Sequence, residues 1–358
     1  MIEGDDHSDI RDSARKLCLR FDGAYWRKLD QEPAYPTEFV AQLGAAGFLA
    51  LLIPQQYGGS GLGLSAACAV LEEIQRSGCN GGACHAQMYT LLRHGSEEQK
   101  LTYLPKIASG ELRLQAFGVT EPNSGTDTTR IQTFAEKIGD RYRINGQKGF
   151  ISRAEHSDLM ILLAAIGNGL TIKPINTMMS HACTELFFDN LEVPAKSLLG
   201  IEGKGFGYIL DGMNEECILI AAECIGDARF FIDRATSYAN ERQVFGRPIG
   251  QNQGIQFPIA RAYAQTEAAA LLVDKAADLF DAERACGAEA TIAKMLASEA
   301  SWAAGDTCVQ THGGYGFAAE YDIARKFRET RLYQVAPISI NLILSFIATK
   351  VLNMPRSF

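Results

Sequence analysis

Two glutamates stand side by side in Met213-Asn-Glu-Glu-Cys-Ile218, and the apolar residues around them recur at helical spacing. Ile209, Met213, Leu219 and Ile220 share a face with Glu216, so its carboxyl projects from an apolar stripe, where loss of water raises a carboxylate's pKa. Such a carboxylate is the kind of group that general-base chemistry needs. Glu215 sits nearer Asp211 and Tyr208 and reads as the solvated neighbour; two exposed helix charges is the plainer alternative for the pair. A second candidate is the loop Phe117-Gly-Val-Thr-Glu-Pro-Asn-Ser-Gly-Thr-Asp127, which follows a strand end. It offers hydroxyls, unpaired backbone N–H groups and glycines that permit close approach, which suits a planar, hydrogen-bonding cofactor. On that stretch alone, an ordinary Gly/Pro turn is an equal reading. Asn145-Gly-Gln-Lys-Gly-Phe-Ile-Ser152 reads as a hairpin turn leading into a strand, on which Phe150 and Ser152 face the same side. Glu241-Arg-Gln-Val-Phe-Gly-Arg-Pro248, followed by Gln253, and Gln310-Thr-His-Gly-Gly-Tyr-Gly-Phe317 complete the set. Taken singly, Arg242 and Gln253 read as solvated helix-face residues.

Composition bounds what these residues can serve. With 358 residues, 47% of them hydrophobic and 21% charged, the chain has two or three domains and enough length for a sizeable core. A mean hydropathy of -0.05 and no apolar run approaching about 18 residues exclude a transmembrane helix. Thirty-four Lys and Arg against 42 Asp and Glu argue against a nucleic-acid partner. The acidic start, Met1 to Asp6, is neither a secretory signal nor an Arg-rich transit peptide, and Arg356-Ser-Phe358 is not a peroxisomal tripeptide or prenylation box. Nine cysteines without a CxxC pair read as reduced, mostly buried thiols; Cys79 and Cys84 lack the downstream partners of a zinc site. The compartment is therefore reducing, most simply cytoplasm, with the mitochondrial matrix of a processed protein also compatible. His85, His94, His156, His181 and His312 are scattered and read as packing or loop residues.

The elements that must position the candidates fall into three textures. From about Ser8 to Gly110 the pattern is helical, with helices over Glu38–Leu52 and Leu64–Ile74. From about Leu114 to Leu199, short runs such as Arg141–Asn145, Leu159–Ala165 and Leu186–Phe188 are bounded by Gly, Asn, Asp and Pro and read as strands. From about Gly205 onward, long helices return, and sixteen alanines between 262 and 304 let neighbouring helices approach closely. This order makes the fold α+β: an N-terminal helical domain (1–113), a small central β-sheet domain (114–200) and a C-terminal helical bundle (201–358). Gly61-Leu-Gly-Leu-Ser-Ala66 fits a dinucleotide GxGxxA, but Glu72 and Glu73 lie too close and no second strand follows, so it reads as a loop between helices.

Together, in this order, the four motifs resemble the acyl-CoA dehydrogenase family. Further support comes from Pro54…Tyr57-Gly-Gly59…Gly61, Gly95–Lys100 with Leu104-Pro105, and Gly203-Lys-Gly-Phe206, so the likeness covers nearly the whole chain. The resemblance implies an FAD enzyme that oxidises the α–β bond of an acyl-CoA thioester to the trans-2-enoyl-CoA, with hydride passing to flavin N5 and electrons on to an electron-transfer flavoprotein. It implies that Phe117, Val119 and Thr120 meet the pyrimidine edge of the flavin, that Phe150 packs on its face and that Ser152 bonds near N5. Thr126 and Met213 match substrate-contacting positions. Arg242, Phe245, Gln253, Gln310, Gly313 and Gly314 match positions that hold the adenosine and pyrophosphate across a subunit interface, which implies a homo-oligomer, usually a dimer of dimers. Ser339 and Asn341 match further cofactor positions.

Many family members carry the base in a Tyr-Glu-Gly-Thr stretch before the last helix, where this chain has Pro337. A branch that includes isovaleryl-CoA and long-chain enzymes carries it on an earlier helix, at the position of Glu216. Glu216 is therefore the expected base; a helix-borne glutamate points towards branched or longer acyl groups, but the branch is broad and the sequence does not fix the acyl chain. Three departures stand out. Cys217 replaces the usual arginine. Pro337 has no N–H for the thioester carbonyl, leaving the donor role to Ile338. Ser152 to Leu186 spans 34 residues, about 25 fewer than the family expectation, room for two strands and a turn. Alternative readings are a flavin monooxygenase or nitroalkane-oxidase-like relative, and an inactive oligomeric scaffold or binding subunit.

Overall fold

A computed structural model of the chain describes residues 7–32, 34–81, 86–162, 169–179 and 182–357. Six helices come first: α1 (Ser8–Cys18), α2 (Gly23–Gln31), α3 (Thr37–Ala45), α4 (Leu64–Arg76), α5 (Ala86–His94) and α6 (Glu97–Ala108). Six strands follow: β1 (Leu114–Gly118), β2 (Phe134–Ile138), β3 (Arg141–Ser152), β4 (Leu159–Leu162), β5 (Leu170–Ile175) and β6 (Cys183–Pro194). Then come α7 (Gly205–Glu241), the two-residue strands β7 (Gln243–Val244) and β8 (Arg247–Pro248), α8 (Gln253–Asp281), α9 (Gly287–His312), α10 (Ile323–Thr330) and α11 (Ile340–Phe346). The order α, β, α holds.

The chain divides into two compact units. One comprises Met1–Gln31, Gly63–Gly82 and Asn214–Phe358; the other comprises Glu32–Leu62 and Ala83–Met213. In the first, the alanines do what their spacing predicts: Ala262, Ala269, Ala276 and Ala277 of α8 and Ala290, Ala293, Ala297 and Ala304 of α9 are buried. Phe230 and Phe231 of α7 complete a core with Ala235, Cys308 and Ile323.

In the second unit, Ile53, Tyr57, Met88, Leu91, Leu104, Ile107 and Leu114 form one core. Helix α6 starts on a capping box in which Ser96 and Gln99 satisfy each other's backbone N–H. The strands make an antiparallel sheet of order β2-β3-β6-β5 and a parallel pair β1-β4. Tyr142, Ile144, Ile151, Leu186, Phe188, Leu191 and Val193 fill its buried face.

Three sequence expectations change. The helix expected over Glu38–Leu52 ends at Ala45, because Gly47 takes a left-handed φ of 80° just beyond the last turn; Phe48–Ala50 forms a separate 3-10 turn. Asn145-Gly146 is no hairpin turn. It is a bulge inside β3, where Gly146 adopts φ 148° and a Cβ would lie 2.5 Å from Thr133 Oγ1. The reversal occurs earlier, at Gly139-Asp140, between the paired Ile138 and Arg141. Thirdly, the apolar stripe around Glu216 does not continue past it, since residues 217–228 of α7 are buried on every side. The shortened stretch between Ala165 and Gly169, Cys84, His85 and His181 lie outside the described residues.

Candidate functional site

The strongest local motif is built from β1, the loop after it and β3. Gly118 ends β1 against β4; a Cβ there would sit 2.5 Å from Leu162 Cδ1, so any larger residue would force the Leu162 side chain to shift. Phe117, Val119 and Thr120 are half-buried, and Thr126 is exposed on the far part of the loop. The Gly149 N–H donates to the Thr120 carbonyl at 2.9 Å. Phe150 follows at φ 57°, an unusual backbone for a bulky residue, with 68% of its surface exposed. Ile151 is buried between the exposed Phe150 and the half-buried Ser152.

Glu121 and Lys148 lie inside two of the motifs with no role evident from the sequence. Both are buried and 2.9 Å apart, and Lys148 Nζ also donates to the Val119 carbonyl at 3.0 Å. Glu121 accepts the backbone N–H groups of Gln132 (2.7 Å) and Thr133 (2.9 Å). Burial would raise its pKa, but these N–H groups and Lys148 outweigh it and hold the carboxyl at about 2. The two charges cancel, so the loop presents a neutral edge of backbone groups and hydroxyls beside an exposed aromatic ring. A Cβ on Gly125 or Gly149 would meet nothing within 4 Å. Such a surface fits an uncharged, planar ring system such as isoalloxazine.

The other unit carries the acids of α7. Glu216 is half-buried, and burial first, then Glu223, pushes its carboxyl up to about 7, with Lys294 opposing. Glu215 is not the solvated neighbour that its sequence position suggested. It is fully buried, burial and Glu216 push its pKa well above the ordinary range, and neither oxygen has a hydrogen-bond partner among the described residues. Helical spacing from Asp211 and Tyr208 could not reveal this, because burial is set by what packs against α7 and not by its neighbours in sequence. Cys217 is fully buried and its thiol is pushed up to about 12, so it brings no charge. The positive charge acting on Glu216 comes instead from Lys294 of α9, whose Nζ donates to the Ile338 carbonyl at 2.7 Å. The Tyr333 hydroxyl donates to Glu223 at 2.9 Å, so the segment before α11 is anchored at both ends. Ser339 caps α11, accepting the Leu342 N–H at 3.4 Å, and Asn341 is exposed.

Arg242, Gln253, Gln310, Gly313 and Gly314 are exposed on this unit. The Arg242 guanidinium lies over the Tyr315 ring at 6.0 Å. Phe245 is 100% exposed at the tip of the β7–β8 hairpin, with φ 53°. Exposed glycine backbone and a guanidinium suit a pyrophosphate.

The remaining sequence readings also find places. The N-terminus of α4, after Gly63, is occupied by Asp281, which accepts from the N–H groups of Leu64 (2.5 Å) and Ser65 (3.0 Å). The GxGxxA stretch is therefore capped from within and is a loop between helices. His94, His156 and His312 stack on Tyr208, Tyr35 and Tyr238. The eight described cysteines are buried and free, and no helix among the described residues is long and apolar enough to cross a membrane.

Family models for the N-terminal, middle and C-terminal domains of acyl-CoA dehydrogenase match residues 4–111, 116–191 and 203–350. An acyl-CoA dehydrogenase of Bacillus subtilis is 36% identical, over 91% of each chain. Among solved structures, butyryl-CoA dehydrogenase from Megasphaera elsdenii is 28% identical, with a TM-score of 0.92 over 98% of this chain and 99% of that one. A chain from the structure of the electron transferring flavoprotein of Acidaminococcus fermentans is 29% identical, with a TM-score of 0.93 over 98% of both.

Proposed function

The chain belongs to the acyl-CoA dehydrogenase family, and from that premise we propose which of its residues perform the family's reaction. It is an FAD-dependent oxidoreductase that dehydrogenates an acyl-CoA thioester between the α and β carbons. FAD, when bound, supplies the hydride acceptor. Glu216 is the base that removes the α-proton, and the observation that carries this is its half-buried carboxyl, pushed up to about 7. A base near neutrality is ionised often enough to act and basic enough to take a proton from carbon. The Ile338 N–H polarises the thioester carbonyl in place of Pro337, held there by the grip of Lys294 on its own carbonyl. Thr126 and Met213 contact substrate.

Phe117 and Val119 through their backbone, and Thr120, would hold the pyrimidine edge of the flavin, Phe150 would pack on its face and Ser152 would bond near N5. Arg242, Phe245, Gln253, Gln310, Gly313 and Gly314 hold the adenosine and pyrophosphate of a cofactor seated on a neighbouring copy, with Ser339 and Asn341 as further contacts. The assembly is then a dimer of dimers. Electrons leave to an electron-transfer flavoprotein, a reading supported by the likeness to the Acidaminococcus chain. The domains run 1–113, 114–200 and 201–358, in the cytoplasm. No finding favours the oxygen-using or inactive-scaffold alternatives.

Anaerobic addition of straight and branched acyl-CoAs to the purified yellow protein tests the reading: at least one must bleach the flavin, and failure of all would sink it. The bleaching rate should rise with pH through about 7 and level off above, because only ionised Glu216 accepts the proton. A flat profile across that range would remove Glu216 from the role. Phe245→Asp should reduce the oligomer to a smaller species in sedimentation and release FAD with it, since a fully exposed phenylalanine at a hairpin tip is suited to a partner's pocket. Unchanged assembly would count against the shared site.

A further inference from the structure

We propose that the buried Lys148–Glu121 pair is the positioning element of the flavin cradle, setting Phe150 against the Val119–Thr120 backbone. The proposal rests on the reading that this loop and Phe150 receive the flavin. A buried ion pair is on its own a weak source of stability, because desolvation offsets most of the attraction. This one is connected in a way that stability alone does not require. Lys148 Nζ bonds both the Glu121 carboxylate (2.9 Å) and the Val119 carbonyl (3.0 Å). Glu121 takes the N–H groups of Gln132 and Thr133, where the chain enters β2. The next residue after Lys148 donates its N–H to the Thr120 carbonyl at 2.9 Å. Three backbone segments, 119–121, 132–133 and 148–149, thus converge on one buried pair. Phe150 comes directly after the last of them, in a left-handed conformation that the surrounding structure must enforce. β3 is not regular here: its pairing with β6 shifts between Lys148 and Ile151, so the ladder itself does not dictate where Phe150 points. The pair does.

The test uses four holoprotein variants: Lys148→Met, Glu121→Gln, Phe150→Ala as a marker of the flavin site, and Tyr57→Phe as a stability control. Tyr57→Phe loses the 2.8 Å bond to Glu97, in the same unit. For each, FAD affinity is measured by titrating the apoprotein, alongside the flavin's visible band and the melting temperature of the apoprotein. Lys148→Met should bind FAD at least about ten-fold more weakly, the worth of one charge-assisted hydrogen bond, and shift the band. Glu121→Gln should move both readouts less, because glutamine still accepts from an N–H and Lys148 keeps Val119. Tyr57→Phe should lower the melting temperature and move neither. If Lys148→Met does not fold, Glu121→Gln carries the test, and its affinity and band must move. A folded Lys148→Met, or failing that Glu121→Gln, that melts earlier yet keeps wild-type affinity and band overturns the proposal. If Phe150→Ala moves the readouts in that case, only the positioning role is lost; if Phe150→Ala is also silent, the flavin reading of this loop fails with it.

Discussion

Glu216→Gln is expected to leave a folded, yellow protein that acyl-CoA bleaches about 10²- to 10⁴-fold more slowly, the usual worth of a positioned general base. Glutamine has the same shape and no charge, so it fits wherever the protonated acid fits. It cannot accept the α-proton. The substitution also has a stability signature with a definite sign. The Glu216 carboxyl is raised from 4.5 to about 7, so the fold favours its protonated form. That preference contributes fully below about 4.5 and is lost as pH rises through 7, where the half-buried carboxylate must ionise. The variant should therefore melt like the wild type in acid and later than it above neutrality. Glu215→Gln is the necessary companion. Burial and Glu216 favour the protonated form of Glu215, so its replacement should spare the bleaching rate. If Glu215→Gln abolished bleaching and Glu216→Gln did not, the assignment of the base would be reversed.

Lys326→Met should be strongly destabilising, costing about 3–5 kcal/mol, the range for breaking a buried ion pair by removing one partner. Lys326 is fully buried in α10, and its Nζ contacts Asp227 (2.5 Å), Gln75 (2.5 Å), Glu329 (3.2 Å) and the Cys79 carbonyl (3.2 Å). One ammonium thus serves two buried carboxylates, drawn from α7 and α10, and ties them to α4. Even with Lys326 present, burial pushes Asp227 up to about 7. Without it, Asp227 must take a proton or remain an unpaired buried charge. Urea unfolding measures the loss, and adding Asp227→Asn should recover part of it by removing the stranded charge. A loss below about 1 kcal/mol would place the pair among the many that contribute little.

The chemistry-bearing residues were legible in the sequence to different depths. Glu216 could be singled out because helix periodicity and an apolar neighbourhood are both local properties. Phe150 and Ser152 stand out through their types and their place at the end of a strand, but the left-handed Phe150 and the register shift before Ile151 are not legible in a local pattern. Glu215 was misread for the same reason that Glu216 was found. Neighbours in sequence report one face of a helix, and α7 is enclosed on all its faces from residue 217 to residue 228. Lys148 and Glu121 sat in plain view inside two motifs. Nothing in either motif says that a charge 27 positions away will meet it in a buried pair.

By itself the sequence determined the succession of helices, strands and helices, the family, and the types of residue available for proton removal and cofactor contact. Those follow from periodicity, turn chemistry and joint occurrence, which are carried by residues close together in the chain. Only the tertiary structure decided which carboxylate of the pair is half-buried and which is sealed. It also decided that Lys294, not the residue beside the base, supplies the cation acting on Glu216, and that Gly146 makes a bulge and not a turn. Desolvation and charge pairing depend on everything packed around a group. That surrounding exists only once distant segments have come together.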